Sequence, residues 1–178
     1  MVWFVITVFA LAGMIKGTIG LGLPAVSMGL LTMVISPFQA ATLLIIPSMV
    51  TNFWQLFAEG RVLQLIRRFW LLLLGIIIGS IWSVFPTLGH SDFNSEALLG
   101  GMLALYGVYG LFAKSMPNLS KYENLLSPIM GYLGGALTVA TGVVVIPVVP
   151  YLQTLNLQRD DLVQSLGLAF TTSTICLA

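Results

Sequence analysis

The longest uncharged stretches of this chain set the limits on what it can fold into. Gly17 to Ala58 is 42 residues and Asn124 to Gln158 is 35 residues without a single Asp, Glu, Lys or Arg. Shorter uncharged runs are Met1 to Ile15, Phe69 to Ser91, Ala97 to Ala113 and Leu162 to Ala178. A helix needs roughly 20 largely apolar residues to cross the ~30 Å hydrocarbon core of a bilayer. The two longest runs therefore hold more than one simple span, or a broken one, and the other long runs suit one helix each. Seven basic and six acidic residues are all the charge in 178 positions, and 58% of the chain is hydrophobic. An ordinary soluble domain is about a quarter charged. Too few polar side chains remain here to cover a surface in water, so lipid is the natural solvent.

Backbone groups in lipid must be bonded internally, and without a barrel pattern helices are the solution. The fold expected is all-α and polytopic, with helices over 2–35 (interrupted), 39–57, 69–87, 97–113, 126–152 (interrupted) and 161–178. Arg61, Arg67 and Arg68 lie in one connecting segment, Asp92 and Glu96 in the next, and Lys114 and Lys121 in the third. The positive-inside rule puts the first and third in the cytoplasm and the middle one outside. Ala10-Leu11-Ala12 has the look of a signal-peptidase site, but no positive charge precedes it and the apolar character continues. An uncleaved first helix is expected.

Several function classes fall away. Net charge is +1 and the only basic cluster is Arg67-Arg68, which excludes a nucleic-acid surface. The lone Cys176 cannot form an internal disulfide and belongs to no metal or redox motif. His90, Asp92 and Glu96 share a short external loop without ligand spacing. Gly17-x-x-Gly20-x-Gly22 has the wrong spacing for a dinucleotide fingerprint and lacks a strand before it. No cofactor is expected. An intramembrane hydrolase needs a nucleophile and a base at membrane depth, but the one histidine lies in a loop and no Gly-x-Ser-Gly occurs.

Sliding the chain against itself by 122 residues puts Gly13 on Gly135, Gly20 on Gly142, Val26 on Val148, Leu30 on Leu152, Thr32 on Thr154 and Thr51-Asn52 on Ser173-Thr174. Each long interrupted run begins one of the two units, followed by a polar-headed single helix. The domains expected are a first transmembrane repeat over 1–123 and the start of a second over 124–178. Two full units would need roughly 244 residues, so a C-terminally incomplete second unit is expected, short of about two spans. If the interrupted segment crosses the membrane the repeats are parallel; if it is re-entrant they are inverted. Charge bias satisfies both, changing only the side of the N-terminus.

The segment Gly13-Met14-Ile15-Lys16-Gly17-Thr18-Ile19-Gly20-Leu21-Gly22-Leu23-Pro24 should break near Gly20 to Pro24, because glycine weakens a helix and proline removes a donor. The second half then starts inside the membrane with unpaired N–H groups, which favour an anion. Thr138-Val139-Ala140-Thr141-Gly142, followed by Pro147 and Pro150, offers a second break, and two helix starts facing one another would cradle a small anion.

On Lys16-Gly17-Thr18-Ile19-Gly20-Leu21-Gly22-Leu23-Pro24, Ala40-Ala41, Pro47, Thr51-Asn52-Phe53-Trp54-Gln55 with Gly60, and 131–151, the chain resembles the sulfite exporter TauE/SafE family of membrane permeases. It departs from that family at Val143-Val144, where further glycines are usual, and where it ends. The resemblance implies a secondary transporter in the bacterial cytoplasmic membrane, multi-pass, exporting or importing sulfite, sulfonates or other small organic anions. Its partners would be the anion, a coupling ion (H+ or Na+) and the lipid bilayer. A non-transporting assembly or accessory subunit and an anion channel are the alternatives.

Lys16 is the only charge in a long apolar stretch, roughly 22 Å along its helix and about two-thirds through the core. Either it snorkels to the interface or it serves as the charge partner of an anion. Asn52 and Gln55, three apart, share a helix face and could bond substrate oxygens or another helix. Trp54 beside them fits an interfacial anchor, and Thr171-Thr172-Ser173-Thr174 is the corresponding cluster in the second unit. The substrate-binding set expected is Lys16, Thr18, Gly20, Gly22, Asn52, Gln55, Thr141, Gly142 and Thr174. Gly13-x-x-x-Gly17, Gly75-x-x-x-Gly79 and Gly131-x-x-x-Gly135 are expected to pack helices closely.

Overall fold

Glycine decides where the first helix stops. Gly20 (φ 79°) and Gly22 (φ 104°) both adopt the left-handed region, which only glycine enters freely. Gly20 N still bonds Lys16 O at 2.7 Å, and Val26 N bonds Gly22 O at 2.8 Å, so one helix closes and the next opens within three residues. The computed structural model describes residues 2–58, 60–88, 94–112, 118–143 and 146–178. Among them every regular element is helical: α1 Val2–Ile19, α2 Leu23–Leu31, α3 Pro37–Phe57, α4 Val62–Ile81, α5 Ser95–Phe112, α6 Glu123–Thr141, α7 Val148–Gln153 and α8 Arg159–Leu177. Glu59, His90, Asp92, Lys114 and Val144 lie outside the described residues. Two helices, α3 and α4, are each long and apolar enough to cross a membrane.

Both interrupted runs divide as expected, α1 from α2 at Gly20 to Gly22 and α6 from α7 after Gly142. α3 starts with a capping box in which Ser36 and Gln39 satisfy each other's backbone N–H groups. Boundaries differ from expectation where α2 ends at Leu31 instead of near 35 and at both ends of α4, which stops at Ile81 instead of near 87. α4 begins at Val62 rather than near 69, because Arg67 and Arg68 are helical and not loop residues. Arg68 reaches Glu123 with two parallel bonds of 2.9 and 2.7 Å, which lets a charged turn continue into the apolar helix. The helix is kinked at Phe69, where φ is −101° and ψ 18°.

α4 and α6 share the most extensive interface and run in the same direction. Arg68 meets Glu123 at their starts, and Tyr132 Oη donates to Trp82 O at 3.0 Å near the far end of α4. Their glycines make this possible: a Cβ on Gly75 would stand 2.9 Å from Tyr132 N, and one on Gly131 would stand 3.1 Å from the Cα of Gly75. Gly79 and Gly135 are closed in the same way by Tyr132 and Ile76 backbone. Without side chains in between, the two backbones meet directly, which is how helices gain dispersion contact where no hydrophobic drive exists between them. Gly13 and Gly17 differ: nothing lies within 4 Å of either, so their spacing does not pack helices in this structure.

Element ends recur at a fixed interval. α3 starts after Ser36 (φ −63°, ψ 152°) and α8 after Gln158 (φ −60°, ψ 152°). Gly20 at φ 79° is matched by Gly142 at φ 75°. Asn52 and Thr174 stand the same 122 residues apart and are hydrogen-bonded to each other.

Candidate functional site

Lys16 lies in the last turn of α1 and is 6% exposed. Its Nζ donates to Thr51 Oγ1 at 3.0 Å and to Asn52 Oδ1, and stands 5.9 Å from the centroid of the Phe170 ring. Lys16 thus turns inward to polar partners on α3 and does not extend away from the bundle. Those partners are neutral. Among the described residues no carboxylate pairs with Lys16, and the two ion pairs, Arg61–Asp161 and Arg68–Glu123, lie elsewhere.

Asn52 is fully buried and carries the network onward, its Nδ2 donating to Thr174 Oγ1 at 3.4 Å. Thr174, Thr171 and Thr172 each donate to the carbonyl four residues earlier in α8. Ser173 instead crosses to α6, where its Oγ donates to Thr138 Oγ1 at 3.1 Å. Gln55, one turn after Asn52, ties three elements together, its Nε2 donating to Gly20 O at 3.0 Å and Val163 O at 2.7 Å. Its Oε1 is buried and has no partner among the described residues. Beside these groups a cavity of about 430 Å³ is bordered by Gly13, Lys16, Gly17, Thr51, Trp54 and Gln55, within the roughly 300–1,000 Å³ of small-molecule sites.

Four expected residues thus come together: Lys16, Asn52, Gln55 and Thr174. Gly20 adjoins them through its carbonyl, and Gly142 borders a narrow pocket with Thr138, Ser173, Thr174 and Phe170. Three do not join. Thr18 is exposed and bonded to Met14 O and Ile15 O. Gly22 serves the chain reversal. Thr141 bonds Leu137 O and borders an apolar cavity with Leu99 and Tyr106. Thr51, Phe170, Thr138 and Ser173 belong to the network but were not among the expected set. Thr138 and Ser173 carry a signal in the sequence, since they stand 122 residues after Lys16 and Thr51.

The two breaks meet α3 at different levels, while Pro24, in the first turn of α2, borders one pocket with Gly142, Ser173 and Thr174. Gly20 packs on Gln55 and Val163, whereas Gly142 packs on Ala41 and Met28. Ala41 and Gln55 lie roughly 21 Å apart along α3 at ~1.5 Å per residue, so the two breaks sit at opposite ends of that helix. The full positive charge beside the cavity is the Lys16 ammonium.

A family model described as Sulfite exporter TauE/SafE matches residues 5–178. The chain belongs to this family. TauE/SafE proteins are membrane transporters, and the match runs through both glycine breaks and the Lys16 network. No match was found among curated proteins or among solved structures.

Proposed function

We propose that this TauE/SafE chain is a secondary transporter for small sulfur-containing or organic anions, such as sulfite or sulfonates, across the bacterial cytoplasmic membrane. The substrate's charge partner is Lys16. One observation carries this: a buried ammonium without a counter-charge among the described residues borders a cavity of about 430 Å³. An isolated buried cation is costly, and the cost is relieved when an anion arrives. Neutral groups of Thr51 and Asn52 hold the ammonium in place without neutralising it. Among the described residues Lys16 is also the only ionisable side chain at the cavity wall, so coupling to H+ would act through it, with Na+ as the alternative ion.

The architecture proposed with it is a multi-pass membrane protein of two homologous units, 1–123 and 124–178. Supporting this, the cap geometries of α3 and α8, the left-handed glycines ending α1 and α6, and the Lys16–Thr51 and Thr138–Ser173 bonds all recur 122 residues apart.

Reconstitution into proteoliposomes tests the reading. Uptake of radiolabelled sulfite, thiosulfate and sulfonates should saturate and should respond to an imposed H+ or Na+ gradient. Flux that never saturates would make the protein a channel, and absence of flux for every anion would favour an accessory subunit.

A further inference from the structure

α3 and α8, the helices that correspond at the 122-residue interval, run in opposite directions. Near the end of α3, Gln55 Nε2 donates to Val163 O at 2.7 Å, and Gln164 Nε2 donates to Leu56 O at 2.6 Å. Further back, Asn52 meets Thr174, and near the start of α3, Ala41 and Leu177 border one cavity. Reading α3 backwards from Leu56 to Ala41 thus reads α8 forwards from Val163 to Leu177. Asn52 and Thr174 are themselves equivalent positions, so an exchange of the two units leaves that contact in place.

The path between these helices agrees. Leu119 N donates to Thr154 O at 3.1 Å and Ser120 Oγ to Leu155 O at 3.0 Å, so the residues before α6 are bonded to those after α7. Arg68–Glu123 and Arg61–Asp161 hold the starts of α6 and α8 beside the start of α4. The chain enters along α6, turns beyond Gly142 and comes back. It does not cross.

The two cavities obey the same relation. One is bordered by Gly17, Trp54, Gln55 and Val163. A second, of about 220 Å³, is bordered by Val139, Cys176, Leu177 and Ala41. Each of these four pairs is 122 residues apart, with Ala41 and Val163 exchanging units. Thr42 and Thr87 add hydroxyls to the second cavity, and Thr138 stands where the first unit has Lys16.

We infer that the two units are inverted about an axis in the membrane plane through the Asn52–Thr174 contact, and that the cavity at Cys176 is the outward vestibule of the anion path whose inward vestibule holds Lys16. The anion rests on the transporter reading above; the inversion rests on packing alone. Arg61 and Arg68 fix the side, since basic segments stay in the cytoplasm. The path is then chemically lopsided, with a cation in the inward half and, among the described residues, only hydroxyls and the Cys176 thiol in the outward half, so small oxyanions bind more tightly from the cytoplasmic side.

Cysteine labelling tests both parts in the full chain, without requiring transport. In a Cys176→Ser background, Gln153→Cys should react with a membrane-impermeant maleimide in inside-out vesicles and not in intact cells; Val2→Cys should do the reverse. Gln158→Cys and Trp3→Cys serve as second positions should either variant fail to fold. The opposite pattern would establish parallel units and overturn the inversion. Native Cys176 should react with an anionic sulfonate methanethiosulfonate at least tenfold faster from outside, and Trp54→Cys at least tenfold faster from inside. Equal rates from both sides, or reaction of Cys176 from inside alone, would overturn the vestibule assignment. Labelling on the expected sides with no anion flux would sink the transporter reading and leave the inversion standing.

Discussion

Lys16, Asn52 and Thr174 form a relay in which each member depends on the next: the ammonium donates to the amide oxygen, and the amide nitrogen donates to the hydroxyl. Supplying a carboxylate inside this relay would satisfy the ammonium internally. Asn52→Asp should therefore leave thermal stability in detergent unchanged or higher, while lowering sulfite flux at least tenfold; unchanged flux would mean that Lys16 is not the anion's partner. Gln55 has a different task, since its amide nitrogen holds Gly20 O and Val163 O. Gln55→Leu strands the Gly20 carbonyl, at about 1–3 kcal/mol for a buried unsatisfied group, removes the second bond to Val163 O, and should appear as a fall in Tm. Lys16 was legible as the one charge in residues 1–58, and Asn52 and Gln55 through their spacing. Phe170 was not, because an aromatic among apolar residues carries no mark of the cation above it. Thr18 misled for a related reason: polarity near a break does not say which way a side chain faces.

Among elements, the glycine breaks were readable because glycine and proline act on the backbone locally. The start of α4 was not, since Arg67 and Arg68 resemble a loop until Glu123, 55 residues away from Arg68, is known to receive one of them. Small-residue spacing shows the same limit. Gly75, Gly79, Gly131 and Gly135 close a backbone-to-backbone interface, but Gly13 and Gly17, with the same spacing, meet nothing within 4 Å. Gly75→Leu or Gly135→Leu should thus destabilise by at least ~1–3 kcal/mol, the usual cost of overpacking. Gly101→Ala, in open space, should be neutral or raise stability by ~0.5–1 kcal/mol through helix propensity. Thermal unfolding of the purified variants in one detergent separates the two classes, and equal Tm values for Gly75→Leu and wild type would refute the packing.

At the level of the whole molecule, a cation without a counter-charge among the described residues is held where two corresponding helices cross, with a glycine break at each end of α3. Helix count and a charge census could foresee the helical class and the breaks, and could not foresee which ends of the breaks would meet. That depends on the opposed directions of α3 and α8, which only the pairing of Gln55 with Val163 and of Gln164 with Leu56 reveals. Family membership names a transporter, and the proposal adds a small anion as its cargo. The most direct check is sulfite uptake by Lys16→Met, Lys16→Arg and wild-type protein in matched proteoliposomes, each first shown to be folded by its Tm. Saturable uptake should be lost by more than tenfold in Lys16→Met and partly retained in Lys16→Arg; a Lys16→Met protein with wild-type rate and affinity would contradict the assignment of Lys16 as the anion's charge partner.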